Sequence, residues 1–175
     1  MHKSLLLLMA LAMLTACGGE KKEKKDIIIA EKYVPKKPMP PIRQQPLLSQ
    51  TEVRWLGGNY QIEIDRQAED SLPQVKDAQG QPYVDNSVTL TIKRGDGSQF
   101  FRRRFTKQNL DACLDNTFRR QGILDGMAFD TIADNRLRFG LQLVFPDADD
   151  MFLPISVLID RQGNCSVARD TSTEF

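Results

Sequence analysis

A strict alternation of apolar and polar residues near the C-terminus constrains this chain more than any other feature. Every odd-numbered position from 137 to 145 carries a large apolar side chain. These residues are Leu137, Phe139, Leu141, Leu143 and Phe145, and they alternate with Arg136, Arg138, Gly140 and Gln142. Successive side chains of a β-strand point to opposite faces, so this period of two predicts a strand with one buried and one exposed face.

The same alternation recurs in three other segments. Their apolar positions are Tyr60, Ile62 and Ile64; Val88, Leu90 and Ile92; and Ile155, Val157 and Ile159. Segments typical of turns lie beside them: Gly57-Gly58-Asn59, Gly95-Asp96-Gly97-Ser98 and Arg161-Gln162-Gly163-Asn164. Half-buried strands joined by tight turns predict antiparallel hairpins.

One segment between the strands has helical spacing instead. Its apolar residues are Leu110, Cys113, Leu114 and Phe118. Thr106 suits an N-cap and Gly122 suits a left-handed residue that ends a helix, so we expect one helix near 107–121. Four strands, a helix and about four more strands predict an α+β domain. We expect a curved antiparallel β-sheet of about eight strands with the helix packed on one face.

The N-terminal residues predict export and a lipid anchor. Leu5 to Leu14 is an apolar run that would rise only about 15 Å as a helix, against about 30 Å for a bilayer core, which is typical of a secretory signal. The run ends in Leu14-Thr15-Ala16-Cys17, which resembles the lipobox of bacterial lipoproteins. The resemblance implies cleavage after residue 16 and lipidation of Cys17. Gly18, rather than Asp, favours the outer membrane as destination, on its periplasmic face or at the cell surface.

Composition divides the remaining chain into a tether, residues 17–50, and a body, residues 51–175. Residues 18–50 contain five prolines and the charge run from Glu20 to Lys25, a composition that disfavours a packed core. They hold eight Lys/Arg and four Asp/Glu, while the body holds 15 Lys/Arg and 19 Asp/Glu. An acidic body argues against nucleic acid as a partner. The body is long enough for one domain with a genuine core.

The histidine and cysteine content limits the chemistry. His2 is the only histidine and would be lost with the signal peptide. This excludes Ser-His-Asp and Cys-His catalysis and histidine-based zinc sites in the mature chain, so we predict that it is not an enzyme. With Cys17 lipidated, Cys113 and Cys165 remain. Two cysteines in an oxidising compartment predict one disulfide, with two buried free thiols as the alternative.

An acidic segment from Pro146 to Asp150 is a weak candidate for a calcium site. Its aspartates are Asp147, Asp149 and Asp150. Ca²⁺ prefers hard oxygen ligands, but the EF-hand pattern is absent because the required Asp or Asn, Gly and Glu are missing downstream. We therefore favour a solvated hairpin loop and predict neither a metal nor another cofactor.

Arginines and an aromatic residue on one predicted strand form a candidate binding patch. If Phe101 and Phe105 face inward, the alternate residues of the strand face outward. These are Phe100, Arg102 and Arg104. Such a patch suits phosphate or carboxylate groups of an envelope polymer. The alternative is that the charges protect an edge strand from pairing.

Six short segments of the body carry a family resemblance. They are Trp55 with Tyr60-Gln61-Ile62-Glu63-Ile64, Leu72-Pro73-Gln74-Val75, Tyr83-Val84-Asp85-Asn86, Asp96-Gly97-Ser98, Phe105-Thr106-Lys107 and Gly122-Ile123-Leu124. On these residues the chain resembles a family of Bacteroidota lipoprotein domains whose function has not been assigned. The resemblance implies the cell envelope and a β-rich fold, and it transfers no site residues.

Three functional hypotheses follow. The first and favoured one is a non-catalytic accessory domain, tethered to the outer membrane, that binds another envelope component, protein or glycan. The second is a carrier or sensor of a small apolar ligand, which needs an enclosed cavity and for which Trp55, Tyr60 and Tyr83 are candidate lining residues. The third is an aspartate-dependent glycan hydrolase, which needs two carboxylates facing each other. The sequence leaves the partner and the oligomeric state open.

Overall fold

A computed structural model describes residues 38–171 as a mostly β-stranded domain. Cys17 and the chain up to residue 37 lie outside the described residues. The strands are β1 (Leu47–Trp55), β2 (Gly58–Ala68), β3 (Val75–Lys76), β4 (Pro82–Tyr83), β5 (Asn86–Arg94), β6 (Gln99–Phe105), β7 (Ile123–Ala133), β8 (Arg136–Phe145), β9 (Ala148–Ile159) and β10 (Cys165–Arg169). A 3-10 helix (Lys107–Cys113) and an α-helix, α1 (Asn116–Gln121), separate β6 from β7. Neither of these described helices has the length and apolar character needed to cross a membrane.

Eight of the strands form two four-stranded antiparallel sheets. The first sheet has the order β1-β2-β5-β6, and the second has the order β10-β9-β8-β7. β3 and β4 form a separate two-stranded ribbon. The alternation that predicted β8 is confirmed by burial, because Leu137, Phe139 and Leu141 are buried while Gly140 and Gln142 are exposed.

The inner faces of the two sheets contribute to one hydrophobic core. Residues of the first sheet in this core include Ile62, Leu90 and Phe105, and those of the second sheet include Phe139, Leu141 and Val157. The prediction of a β-rich antiparallel fold is confirmed, but the single curved sheet of about eight strands covered by one helix is wrong. Two short helices present too little apolar surface to cover such a sheet, so each four-stranded sheet buries its apolar face against the other.

The helical segment also differs from its prediction. The apolar spacing predicts one helix near 107–121, but the chain forms two short helices with Leu114 and Asp115 between them. The carboxylate of Asp115 accepts hydrogen bonds from the N–H groups of Thr117 and Phe118, both at 2.9 Å. A side chain that caps in this way starts a new helix, so Asp115 divides the segment. Leu110, Leu114 and Phe118 are nevertheless buried, as predicted.

Gly122 ends α1 without the left-handed conformation that the sequence predicts. Its φ is −75° and its ψ is 148°, which any residue adopts. Glycine is needed for space instead, because a Cβ here would lie 2.8 Å from the carbonyl oxygen of Phe118. The N–H of Gly122 donates to that same oxygen at 3.0 Å.

The folded domain includes residues that composition assigns to the tether. β1 begins at Leu47, ahead of the predicted start of the body at 51. Ile42 forms a parallel bridge beside Tyr83: its N–H donates to Pro82 O, and its carbonyl oxygen accepts from the N–H of Val84, both at 2.9 Å. Prolines tolerate such extended backbone, so a proline-rich segment can lie along a folded domain.

Candidate functional site

A buried ion pair lies where the first sheet meets the second. Lys107 is 7% exposed and Asp85 is fully buried, and 3.4 Å separates Lys107 Nζ from Asp85 Oδ2. Lys107 Nζ also donates to the carbonyl oxygen of Gly122 at 2.6 Å. Asp85 Oδ1 accepts from the backbone N–H groups of Asn86 and Leu124, both at 2.9 Å. Asp85 Oδ2 has no hydrogen-bond partner among the described residues, so the ion pair with Lys107 is what compensates its burial.

A series of hydrogen bonds leads from this ion pair to the surface. Asn86 Nδ2 donates to the carbonyl oxygen of Leu124 at 2.7 Å and to Gln44 Oε1 at 2.5 Å. Gln44 Nε2 donates to Asp125 Oδ1, and Gln142 Nε2 donates to Asp125 Oδ2, both at 2.8 Å. The two amides thus hold both oxygens of the Asp125 carboxylate in a fixed orientation.

The outer end of this network lines an open cleft of about 370 Å³. Its polar lining consists of Gln44, Asp125 and Gln142. Its other lining residues are Ile42, Tyr83, Ile123, Val144, Phe145, Pro146 and Ala148. A concave site of this size with mostly apolar walls and a few fixed polar groups has the features of a ligand-binding site.

Acidic residues surround Tyr83 at the border of the cleft. Burial, followed by the nearby carboxylate of Asp77, which also hydrogen-bonds the phenol, and then by that of Asp147, raises the pKa of Tyr83 above its ordinary value of 10.0. Asp147 Oδ2 also accepts from the N–H of Ala78 at 3.3 Å. Tyr83 therefore presents a neutral phenol to the cleft, while Asp77 and Asp147 lie beside Tyr83 and are not among the lining residues.

The segment of the chain that matches a protein-family model contains both the ion pair and the cleft. A family model described as Domain of unknown function (DUF4738) matches residues 27–167. The chain belongs to the DUF4738 family. The predicted membership of a family without assigned function is confirmed, while the Bacteroidota origin and the lipobox stay predictions. No curated protein matches the chain.

Residues that carried the family resemblance meet around the buried pair of this DUF4738 domain. They come from three of the six segments: Asp85 and Asn86, Lys107, and Gly122 and Leu124. Sequence reasoning did not bring them together, because Asp85 and Leu124 are 39 residues apart. The available signal was Lys107, a charged residue between the apolar positions Phe105 and Leu110.

The structure separates the three residues of the predicted binding patch. A register shift between Ile92 and Lys93 interrupts the pairing of β5 with β6. Phe100 lies at this irregularity, and its ring packs against those of Trp55 and Tyr60, with centroid distances of 5.4 and 5.7 Å. The prediction that Phe100 faces outward with the arginines is therefore wrong, because a bulge redirects side chains. Of the three aromatics proposed to line a pocket, Tyr83 alone lines the cleft.

Arg102 and Arg104 do face outward on β6, which is an edge strand. Arg104 forms an ion pair with Glu69. This hydrogen bond, with smaller contributions from Ser71 and Ser87, lowers the pKa of Glu69 to about 2. Charges on an edge strand hinder pairing with another chain, so the protective role of these arginines fits their position.

The two cysteines of the domain are free thiols in the structure. Cys113 and Cys165 are both half-buried against the core, and neither is bridged within residues 38–171. The predicted disulfide is therefore not found, and the two cysteines are free thiols, which was the alternative. Burial raises the pKa of the Cys165 thiol, and this outweighs the opposite effect of Arg103, which donates a hydrogen bond to the sulfur. Cys113 instead lines an open hollow with Val167 and Arg169.

The acidic segment forms the β8–β9 hairpin, as favoured from the sequence, but the solvated part is only a two-residue turn. Pro146 and Asp147 form the turn, and β9 already begins at Ala148. The candidate ligands Asp149 and Asp150 thus lie within β9, and their side chains are outside what the structure describes. Among the described side chains, no group of three or more His, Cys, Asp or Glu is placed to hold a metal ion.

Proposed function

We propose that this protein is a non-catalytic domain, tethered to the outer membrane, that binds another component of the cell envelope in the Gln44–Asp125–Gln142 cleft. The observation that carries the proposal is the fixed Asp125 carboxylate, held by two amides beside an apolar wall. A polar group that is already oriented loses little entropy on binding, which favours recognition.

The chemistry of the cleft suits a neutral glycan strand. Hydroxyl groups can both donate to carboxylates and accept from amides, and the half-buried ring of Tyr83 and the side chain of Pro146 offer apolar contact for sugar rings. Asp125 is the one charged residue among those that line the cleft, and Arg66 lies 3.7 Å from its Oδ1, so the cleft carries little net charge and suits a neutral polymer better than a phosphate-rich one. An extended protein segment is the alternative occupant.

The anchor proposal depends on the sequence of the N-terminus. A lipidated Cys17 with two or three acyl chains would hold the protein on the bilayer, because a single chain binds only marginally. Residues 18–37 would then separate the domain from the membrane. We expect Cys17→Ser to release the protein from membranes; sedimentation of the variant with membranes, or a mature terminus without fatty acid in mass spectrometry, would contradict the anchor.

A carrier of a small apolar ligand is the second candidate. The cleft volume of about 370 Å³ lies in the range of small-molecule sites. The cleft is open and partly polar, however, whereas an apolar cargo is best protected in an enclosed apolar cavity. An aspartate-dependent hydrolase stays the third and least supported hypothesis.

The test uses binding of the soluble protein to purified peptidoglycan sacculi. We expect the chain with Cys17→Ser to co-sediment with sacculi and Gln142→Ala to reduce the bound fraction about tenfold, because Gln142 is exposed and orients Asp125. The matched control is Gln162→Ala in the β9–β10 turn, because Gln162 is also exposed and is not among the residues that line the cleft. Absence of wild-type binding, or equal binding by Gln142→Ala, would reject the glycan proposal.

A further inference from the structure

The outer edge of β1 differs from the other edges of the two sheets. β6 carries Arg102, Arg103 and Arg104 and a register shift, β7 has two register shifts, and β10 is only five residues long. Arginines, bulges and short length are the devices by which proteins block edge-to-edge pairing. Three of the four edges are therefore protected.

β1 has little of this protection. It pairs with β2 through nine residues in unbroken register, and it contains neither Pro nor Gly. Within residues 38–171, the backbone of β1 pairs with β2 on one side only. On its other side, the N–H and C=O groups of β1 point away from the sheet. Leu47 and Leu48 at its start are 51% and 59% exposed. A long, regular edge with exposed leucines is a template for another strand.

The charges of β1 specify what that other strand is. Glu52 and Arg54 are both exposed on the outer face of the sheet, two positions apart, with Val53 between them. Within residues 38–171, neither of these charged side chains makes an ion pair or a hydrogen bond. An antiparallel copy of the same strand, placed about a two-fold axis at Val53, puts each Glu52 directly opposite the Arg54 of the other copy. Within β1 this register pairs residues 51–55 of the two copies, and Leu47 and Leu48 lie beyond the paired segment. The strand is thus complementary to itself.

We propose that β1 pairs with β1 of a second copy of this chain, antiparallel and in the register that joins Glu52 to Arg54 twice. The two first sheets then form one continuous eight-stranded sheet. Residues directly opposite on neighbouring strands interact favourably when their charges differ and unfavourably when they match. The two-fold axis doubles the effect of any substitution, because each change occurs at two places.

Charge reversal tests the proposal. The chain from residue 17 with Cys17→Ser is examined by sedimentation equilibrium over a range of concentrations. We expect a monomer–dimer equilibrium that Glu52→Arg and Arg54→Glu each weaken about tenfold, since each variant places like charges opposite one another at two places. The combination of Glu52→Arg with Arg54→Glu restores the attraction in the opposite sense, so dimerisation should return close to the wild-type level.

Arg161→Glu is the matched control for Arg54→Glu, because it replaces a positive charge by a negative one in the exposed β9–β10 turn. It should leave dimerisation unchanged. Circular dichroism establishes that each variant is folded. A wild-type chain that is monomeric at all concentrations would overturn the proposal, because a second copy would then not occupy the β1 edge. This holds whether the edge binds a peptide of another protein or stays unpaired. Failure of the combined variant to restore the dimer would overturn the register.

Discussion

Lys107 and Asp85 form an ion pair in which 3.4 Å separates Nζ from Oδ2, and both side chains are almost completely buried. Lys107 begins the 3-10 helix that follows the first sheet, and Asp85 immediately precedes β5. The pair and its hydrogen bonds to Gly122 and Leu124 therefore connect the first sheet, the helical segment and β7. A buried ion is tolerated because its partners are fixed by the fold.

Removal of one partner should be much more harmful than removal of both. Lys107→Met leaves the Asp85 carboxylate buried without its counter-charge, and we expect the free energy of unfolding to fall by about 3–5 kcal/mol. Adding Asp85→Asn to Lys107→Met should recover part of this loss, because Asn keeps the oxygen that accepts from Leu124. Urea denaturation measures both variants, with Lys76→Met at an exposed position as the control. Equal stability of Lys107→Met and the control would contradict a role for the pair.

The ion pair between Glu69 and Arg104 should make stability depend on pH at acidic pH. The pKa of Glu69 is about 2 in the folded protein, against 4.5 for the unperturbed group. A lowered pKa means that the stabilisation is complete above pH 4.5 and is lost as the pH falls toward 2. Arg104→Gln should therefore be less stable than wild type at pH 7, and the difference should shrink between pH 4.5 and pH 2. Asp96, Asp115 and Asp160 also have lowered pKa values, but they are common to both proteins and cancel in the comparison.

Gly122 should not tolerate even a methyl group. A Cβ would lie 2.8 Å from the carbonyl oxygen and 3.0 Å from Cδ1 of Phe118, so we expect Gly122→Ala to cost about 1–3 kcal/mol of unfolding free energy. Gly140→Ala is the control, because nothing lies within 4 Å of its added Cβ. Thermal denaturation should show a lower midpoint for Gly122→Ala alone. Similar midpoints for the two variants would contradict the close approach.

The thiols should be chemically available. Maleimide labelling of the denatured chain with Cys17→Ser, without any reductant, should add two labels, one at Cys113 and one at Cys165. In the native protein Cys165 should react slowly, because burial raises its thiol pKa and thus lowers the thiolate fraction. Mass spectrometry counts the labels. A chain that accepts none before reduction would establish the disulfide that the structure lacks.

The sequence by itself determined β2, β5, β8 and β9, because apolar alternation such as that of Leu137, Phe139 and Leu141 is a local consequence of strand geometry. It did not mark β1, whose first residues fall in the predicted tether. It also indicated that Leu110, Leu114 and Phe118 of the helical segment are buried, but not that Lys107 is. It did not determine the break at Asp115, since capping competes with continuation of the helix and the outcome depends on the packing of Phe118.

Tertiary structure alone decided the arrangement of these elements. Whether eight strands form one curved sheet or two facing sheets depends on what covers each apolar face, which no local pattern records. The orientation of Phe100 depended on a register shift in the neighbouring strand, and the cleft depended on Gln44 meeting Asp125 across 81 residues. Local periodicity therefore specified the elements, while long-range packing placed the polar groups that make the candidate site.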